Sequence, residues 1–166
     1  VVLEAEPGAQ IVYGVKCPVT REELRAAALD GSILELLNFV PVQQGDVIYV
    51  PPGTIHALGP GLLVYEVSQR SDLTYRLYDY GRGRELHLDQ ALDVARLEPT
   101  PFQTARLEPG FRLQGARFTL ELAGTEIRAP DRACLAVAPL DPGRGGVLAA
   151  GAGAHLSGVR HLVASV

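Results

Sequence analysis

Residues 45–57 have the sequence GDVIYVPPGTIHA, and this stretch decides the fold of the chain. Val47 to Val50 are apolar and mostly β-branched, which is typical of a strand that is buried on both faces. The two prolines that follow lack an N–H, so regular strand pairing should stop there, and Gly53 permits the positive φ of a sharp turn. The segment therefore predicts a strand, a rigid corner and a second strand that carries His56.

His56 is a candidate metal ligand because a rigid corner would hold its imidazole at a fixed depth in the sheet. An isolated histidine is more often a packed or surface residue, so the corner itself is what favours the ligand role. The spacing G-x5-P-x-G-x2-H resembles the second signature of the cupin superfamily, whose small double-sheet barrels often hold a metal at the mouth. That resemblance implies an all-β, cupin-type jelly roll.

Three further blocks of sequence restrict the resemblance to one family of enzymes. They are LEAEPGA at residues 3–9, YEVSQRSDLTYRLYDY at 65–80 and GRELHL at 83–88. In this order they resemble the short bacterial form of type I mannose-6-phosphate isomerase, a zinc-dependent sugar-phosphate isomerase. The resemblance covers residues 1–95 and is weak beyond them, so it implies the later part of a catalytic cupin domain.

The resemblance also implies site residues. His56 matches the last of the family's four zinc ligands, and the other three, a Gln-x-His pair and a glutamate, belong to a segment upstream of Val1. Arg76 matches an arginine beside the metal that can hold a phosphate or a developing enediolate. Glu66 matches a position where a carboxylate can assist proton movement. Independently of the resemblance, Arg84 lies beside a chain reversal, where it is a further candidate phosphate contact or holds the following helix. The implied reaction interconverts mannose 6-phosphate and fructose 6-phosphate through a cis-enediol.

Side-chain alternation along the predicted strands gives a layout that agrees with these roles. Leu62, Val64 and Glu66 would share one face, which places a carboxylate beyond two apolar side chains. Arg76 would lie on a neighbouring strand, so that it and His56 approach the rim of a ligand pocket. The simpler interpretation of Glu66 and Arg76 is a salt bridge at a sheet edge, which contributes little stability.

The composition sets the class of protein. The chain has 166 residues, of which 47% are hydrophobic, with 18 Gly, 12 Pro and a formal charge of −4. These values favour short strands and tight turns, and they argue against disorder and against a nucleic-acid surface. No apolar run is long enough to span a membrane. We expect Cys17 and Cys134 to be buried, reduced thiols of a cytoplasmic protein. The sequence contains no Met, so we expect that Val1 is not a native start.

The chain divides at the Pro99-Thr100-Pro101 linker. Residues 1–98 are predicted to form the catalytic cupin with a short helical excursion, and residues 99–166 a second, smaller, degenerate cupin β-sandwich. Helices are predicted from capping signals at 20–28, 32–37 and 89–96. Strands are predicted at 9–15, 39–42, 47–50, 55–58, 62–67, 74–78, 116–122, 133–137, 147–150 and 161–166, with a hairpin at Gly59-Pro60-Gly61.

Other polar residues have simpler roles. Asp72 is expected to cap a turn, Tyr75, Tyr78 and Tyr80 to pack, and the glycine-rich run 143–146 to form a turn and not a phosphate-binding loop. His155 and His161 are expected to be structural or at the surface. Arg82 and His87 surround a chain reversal, where they either reach the pocket or hold the following helix.

Two other functions fit the same fold. The first is a metal-free cupin that binds a sugar or serves as an interaction module. The second is a cupin oxygenase that uses iron, which the Thr74-Tyr75-Arg76 and 84–87 blocks disfavour by resemblance. The isomerase interpretation implies zinc and a small sugar phosphate, no nucleic acid or membrane, and a monomer or homodimer. With one matched zinc ligand, the isolated chain is expected to be inactive.

Overall fold

The computed structural model describes residues 1–67, 73–108, 110–114, 119–123, 126–128, 134–137, 147–150, 155–157 and 161–165. These residues form mostly strands with a few short helices, so the prediction of an all-β chain with a helical excursion is confirmed. Within residues 1–106 the elements are β1 (Val2–Ala5), β2 (Gln10–Val15), α1 (Arg21–Asp30), α2 (Ile33–Leu36), β3 (Leu37–Pro41), β4 (Asp46–Ile48), β5 (His56–Leu58), β6 (Leu62–Val64), α3 (Leu88–Val94) and β7 (Thr104–Arg106).

Strand β2 lies at the centre of the first part of the chain. It is the middle strand of the antiparallel sheet β3-β2-β5, and five of its six residues are buried. Val12 and Val15 pack with the helices, whereas Ile11 and Tyr13 pack with β-strand side chains on the other face. A register shift between Val12 and Val15 places a bulge at Gly14, whose φ is +73°. The sheet therefore has two buried faces along its central strand.

Helix α1 begins with the capping box that the sequence predicts. Thr20 Oγ1 accepts from the Glu23 N–H at 3.1 Å, and Glu23 Oε2 accepts from the Thr20 N–H at 2.8 Å. The helix ends at Gly31, which has the left-handed conformation. The buried residues Leu24, Ala27 and Ala28 face the sheet.

The capping predictions for the other two helices are wrong. Ser32 precedes α2 but its side chain makes no capping bond, because Ser32 has helical φ and ψ and α2 is only one turn long. Helix α3 begins at Leu88 with His87 at the N-cap, so Asp89 lies inside the first turn. Its carboxylate pairs with Arg25 on α1, and Asp93 pairs with Arg21 at 2.5 Å. The acidic residues of α3 therefore bind a neighbouring helix instead of capping their own.

The hairpin predicted at Gly59-Pro60-Gly61 is also wrong. Strand β5 pairs with β2, and β6 pairs with β1, so the chain changes sheets at this point. The Gly59 N–H donates to the Gln10 carbonyl at 3.0 Å, and the Gly61 carbonyl accepts from the Glu6 N–H at 2.8 Å. The turn is thus bonded to the β1–β2 region on both sides, and those bonds replace the pairing of β5 with β6.

Strand β4 pairs with β7, which lies beyond the predicted linker. Val47 is buried, and Asp46 pairs with Arg106 at 2.5 Å. The predicted strand at residues 74–78 is wrong, because residues 73–79 have no regular secondary structure.

The strands described from residue 112 onward are β8 (Arg112–Gln114), β9 (Thr119–Ala123), β10 (Glu126–Arg128), β11 (Cys134–Val137), β12 (Val147–Ala150), β13 (His155–Ser157) and β14 (His161–Ser165). The four predicted strands are found close to their predicted positions, as β9, β11, β12 and β14, and β8, β10 and β13 were not predicted. The antiparallel sheet β12-β11-β14-β9-β8 holds five of them, and β10 pairs with β13. The domain division at residues 98 and 99 stays a prediction.

Two predictions from composition concern membrane-spanning segments and the burial of the cysteines. In the described ranges no helix has the length and apolar character needed to cross a bilayer. Cys17 is a free, exposed cysteine, so the prediction that it is buried is wrong. The Cys134 side chain lies outside the described residues.

Candidate functional site

The corner at residues 51–54 is a tight turn fixed to helix α3. The Thr54 N–H donates to the Pro51 carbonyl at 3.2 Å, and Gly53 has φ +80°, as the third residue of a type II turn requires. The Arg96 N–H donates to the Gly53 carbonyl at 2.8 Å, and its guanidinium Nε donates to the Pro52 carbonyl at 2.9 Å. The turn therefore starts β5 at a position that the end of α3 fixes.

His56 is the first residue of β5, and its cross-strand partner on β2 is Tyr13. Because such partners share a face of the sheet, the His56 side chain lies on the face of Tyr13 and Ile11, opposite the helices. His56 is exposed, since β5 is the edge strand of its sheet. Its Nδ1 lies 2.9 Å from the Thr54 carbonyl, to which it can only donate. With the proton on Nδ1 used in this bond, Nε2 is the ring nitrogen that could bind a metal.

Arg76 is bound to the chain segment that precedes α3. Its Nη1 donates to the Glu85 carbonyl at 2.8 Å, its N–H donates to His87 Nδ1 at 3.1 Å, and its carbonyl accepts from the His87 N–H at 2.8 Å. The residue is half-buried. Residues 85–87 thus bind both the backbone and the guanidinium of Arg76.

Arg84 is exposed on the loop that joins Arg76 to His87, and Asp79 organises this loop. Asp79 Oδ2 accepts from the Arg84 N–H at 2.7 Å, and Oδ1 accepts from the Gly81 N–H at 3.0 Å. The Arg84 N–H bond holds the pKa of the Asp79 carboxyl below its ordinary value of 3.8, against the opposing effect of burial. Asp79 was not among the predicted site residues, although an aspartate two residues before a glycine is a known turn signal.

Glu66 lies beyond the end of β6 and is exposed. The backbone beside it pairs with the residue before β1, since the Tyr65 N–H donates to the Val1 carbonyl at 2.8 Å. Glu66 therefore lies near the start of β1.

The structure brings only some of the four predicted site residues together. Arg76 and Arg84 belong to one loop, whereas His56 lies on β5 and Glu66 follows β6, a strand of a different sheet. Among described residues no hydrogen bond or ion pair joins any two of the four. Tyr75, Leu77 and Tyr78, the neighbours of Arg76, pack with the helices, on the face of the sheet opposite His56. The shared pocket therefore stays a prediction.

A zinc site needs three or four protein donors. The described ranges contain no group of three His, Cys, Asp or Glu side chains that could hold a metal ion. His56 has the tautomer of a ligand, but these residues do not complete a site around it.

Several predicted roles fall on residues that the structure leaves out. Asp72 and the run 143–146 lie outside the described residues. His155 and His161 lie on β13 and β14, but their side chains are not among those described.

Comparison with known proteins supports the resemblance inferred from the motifs. The chain is 44% identical over 99 residues to mannose-6-phosphate isomerase of Streptococcus mutans, a match that covers 56% of this chain and 31% of the relative. It is 42% identical over 106 residues to mannose-6-phosphate isomerase ManA of Bacillus subtilis, covering 60% and 33%. The matched region spans about a third of the length of these relatives. No family model matches the chain.

The fold is also found in a solved structure. The crystal structure of the mannose 6-phosphate isomerase from Bacillus subtilis superposes with a TM-score of 0.67 at 24% identity, over 99% of this chain and 62% of that one. This likeness confirms the cupin-type, all-β architecture with short helices.

Proposed function

We propose that this chain forms part of a cytoplasmic mannose-6-phosphate isomerase, which interconverts mannose 6-phosphate and fructose 6-phosphate. The proposal is carried by the 44% and 42% identity to two curated isomerases. The corner that holds His56 in a ligand-competent tautomer supports it. Because the matches cover about a third of each relative, the activity is proposed for the whole protein that carries this sequence.

The chemistry is a proton transfer between neighbouring carbons. A base takes the proton from C2 of the aldose while O1 gains a proton, which gives a cis-enediol; a proton is then returned to C1 while O2 loses its proton, which gives the ketose. Glu66 is the carboxylate that we propose assists this transfer. Aldose and ketose are isomers, so the proton is recycled and no oxidant is needed.

Arg76 is the cation that we propose opposes the negative charge of the reacting sugar phosphate. Its guanidinium donates to the Glu85 carbonyl at 2.8 Å, so the side chain has a defined direction. A planar guanidinium can bind a phosphate in a bidentate manner or stabilise an enediolate oxygen. Arg84, exposed on the same loop, is proposed as a second phosphate contact.

Zinc is the metal that we propose for the whole protein, with His56 as one ligand through Nε2. The described residues do not supply the remaining donors, which we propose belong to other parts of the whole protein. Removal of metal by a chelator should abolish isomerisation, and added zinc should restore it. Activity that survives complete chelation would contradict the zinc proposal.

The central experiment measures isomerisation of mannose 6-phosphate by the whole protein and by R76A, E66Q and H56A. Loss of Arg76 should lower kcat/KM roughly 100-fold, the usual effect of removing one charge-stabilising donor. If Arg76 binds the phosphate, this loss should be much smaller with unphosphorylated mannose as substrate. If it stabilises the enediolate, kcat should fall equally with both substrates. Binding of the sugar phosphate without turnover by the whole protein would favour the metal-free binding module instead.

A further inference from the structure

The ring of His87 is bonded to the backbone of Arg76. His87 Nδ1 accepts the Arg76 N–H at 3.1 Å, while the His87 N–H donates to the Arg76 carbonyl at 2.8 Å. The two residues thus close a small ring of two hydrogen bonds. Because Nδ1 is the acceptor, the imidazole is neutral and its proton is on Nε2.

The contacts of His87 divide between its backbone and its ring. As the N-cap residue of α3, its carbonyl accepts from the Ala91 N–H at 2.8 Å, whereas its side chain makes no capping bond. The Tyr75 ring lies edge-on at a centroid distance of 6.4 Å. Any residue except proline can make these backbone bonds from position 87, so the imidazole itself adds a bond to Arg76 and none to the cap of α3.

We infer that His87 is a positioning residue for Arg76, which acts through the Arg76 N–H. This inference rests on the proposed role of Arg76 in the isomerase reaction. The Nη1 bond to Glu85 fixes the outer end of the Arg76 side chain, and the His87 ring fixes the backbone from which that side chain extends. Without the ring, the backbone of Arg76 can shift slightly. A displacement of about 1 Å in an active site can lower the rate roughly 100-fold.

The test compares H87N with H87Q in the whole protein. The Oδ1 of asparagine occupies nearly the position of Nδ1, so H87N retains an acceptor for the Arg76 N–H, whereas the glutamine amide reaches the position of Nε2. We expect H87N to keep most of the wild-type kcat/KM and H87Q and H87A to lose roughly ten- to 100-fold. Thermal unfolding of each variant controls for folding. If H87A does not fold, the asparagine and glutamine variants make the comparison alone.

A structural readout that needs no activity accompanies the kinetics. In ¹⁵N NMR spectra near pH 8, His87 should show an unprotonated Nδ1, and the Arg76 amide proton should have the downfield shift of a hydrogen-bonded N–H. That shift should persist in H87N and disappear in H87Q. A proton on Nδ1, or an Arg76 amide shift unchanged in H87Q, would overturn the inference.

The kinetic outcomes separate this inference from the proposed function. If R76A loses activity while H87Q equals wild type, Arg76 keeps its proposed role and the positioning role of His87 is rejected. If R76A is as active as wild type, the proposed role of Arg76 and the positioning inference both fail. In that case the NMR result still reports whether the hydrogen bond exists.

Discussion

Asp79 is the residue whose charge state controls the loop carrying Arg84. Its carboxylate accepts N–H bonds from Arg84 and Gly81, and these bonds lower its pKa. A carboxyl with a lowered folded-state pKa stabilises the native state fully above its unfolded pKa, near 3.8. That contribution is lost as the pH falls through the lower, folded-state pKa.

We therefore expect D79N to flatten the acid limb of stability. Between pH 5 and pH 3 the melting temperature of the wild-type protein should fall more steeply than that of D79N. D93N is the matched control, because Asp93 is exposed and forms an ion pair with the exposed Arg21. Melting curves by circular dichroism at several pH values provide the measurement. Parallel slopes for wild type and D79N would show that the loop bonds do not contribute.

The packing of the corner before His56 against helix α3 depends on Gly53. A Cβ at this position would lie 2.5 Å from the Val94 carbonyl oxygen of α3. Gly8 has nearly the same φ, +82° against +80°, but a Cβ there would meet no atom within 4 Å. The two positions thus separate backbone strain from the contact with the helix.

G8A should destabilise the protein by about 1–2 kcal/mol through backbone strain. G53A should cost that amount and ~1–3 kcal/mol more, because either the corner or the end of α3 must move. Urea unfolding of both variants gives the two free energies. Equal losses in the free energy of unfolding would mean that a Cβ at position 53 does not clash with α3.

The two short helices after β2 offer a second test at this scale. Thr20 makes both bonds of a capping box, whereas the Ser32 side chain makes none. T20A should therefore lower the free energy of unfolding by about 1 kcal/mol, and S32A should change it by less than about 0.5 kcal/mol. Chemical unfolding of the pair provides the check. A larger effect of S32A would mean that Ser32 caps α2 in solution.

At the scale of the whole molecule, the segment after the predicted linker packs on the first part of the chain. Strand β7 pairs with β4, and the Phe102 ring stands at 87° to the Tyr13 ring with a centroid distance of 5.0 Å. A chain of residues 1–98 lacks both contacts. Burial of one aromatic side chain contributes roughly 1.5–3 kcal/mol.

We expect a chain of residues 1–98 to melt at a lower temperature than one of residues 1–108. The difference should exceed that caused by F102A in the longer chain, because β4 also loses its strand partner. Calorimetry of the three proteins gives the comparison. Identical melting temperatures for the two chain lengths would support a domain boundary at residue 98.

Zinc binding is also a property of the whole molecule. His56 alone among the described residues is a predicted ligand, and one imidazole does not hold zinc tightly. The 166-residue chain should therefore retain little zinc after dialysis, as measured by atomic absorption. One equivalent retained by the wild-type chain and lost in H56A would show that other donors of this chain complete the site.

Features that depend on a few neighbouring residues were predictable from the sequence alone. The turn at residues 51–54, the capping box of α1 and the positions of most strands were predictable, because φ preferences, missing proline N–H groups and capping bonds act locally. The motif spacing also identified the fold, which the superposed isomerase structure confirms.

The pairing of the strands and the surroundings of each site residue depend on tertiary packing. The glycine turn at residues 59–61 predicts a hairpin, yet β5 and β6 bind β2 and β1, because contacts with distant strands outweigh a local turn preference. The exposure of His56 and the Arg76 bond to His87 likewise depend on chain packing. Local sequence fixes backbone direction over a few residues, whereas pairing partners and side-chain environments follow from long-range burial that no short motif specifies.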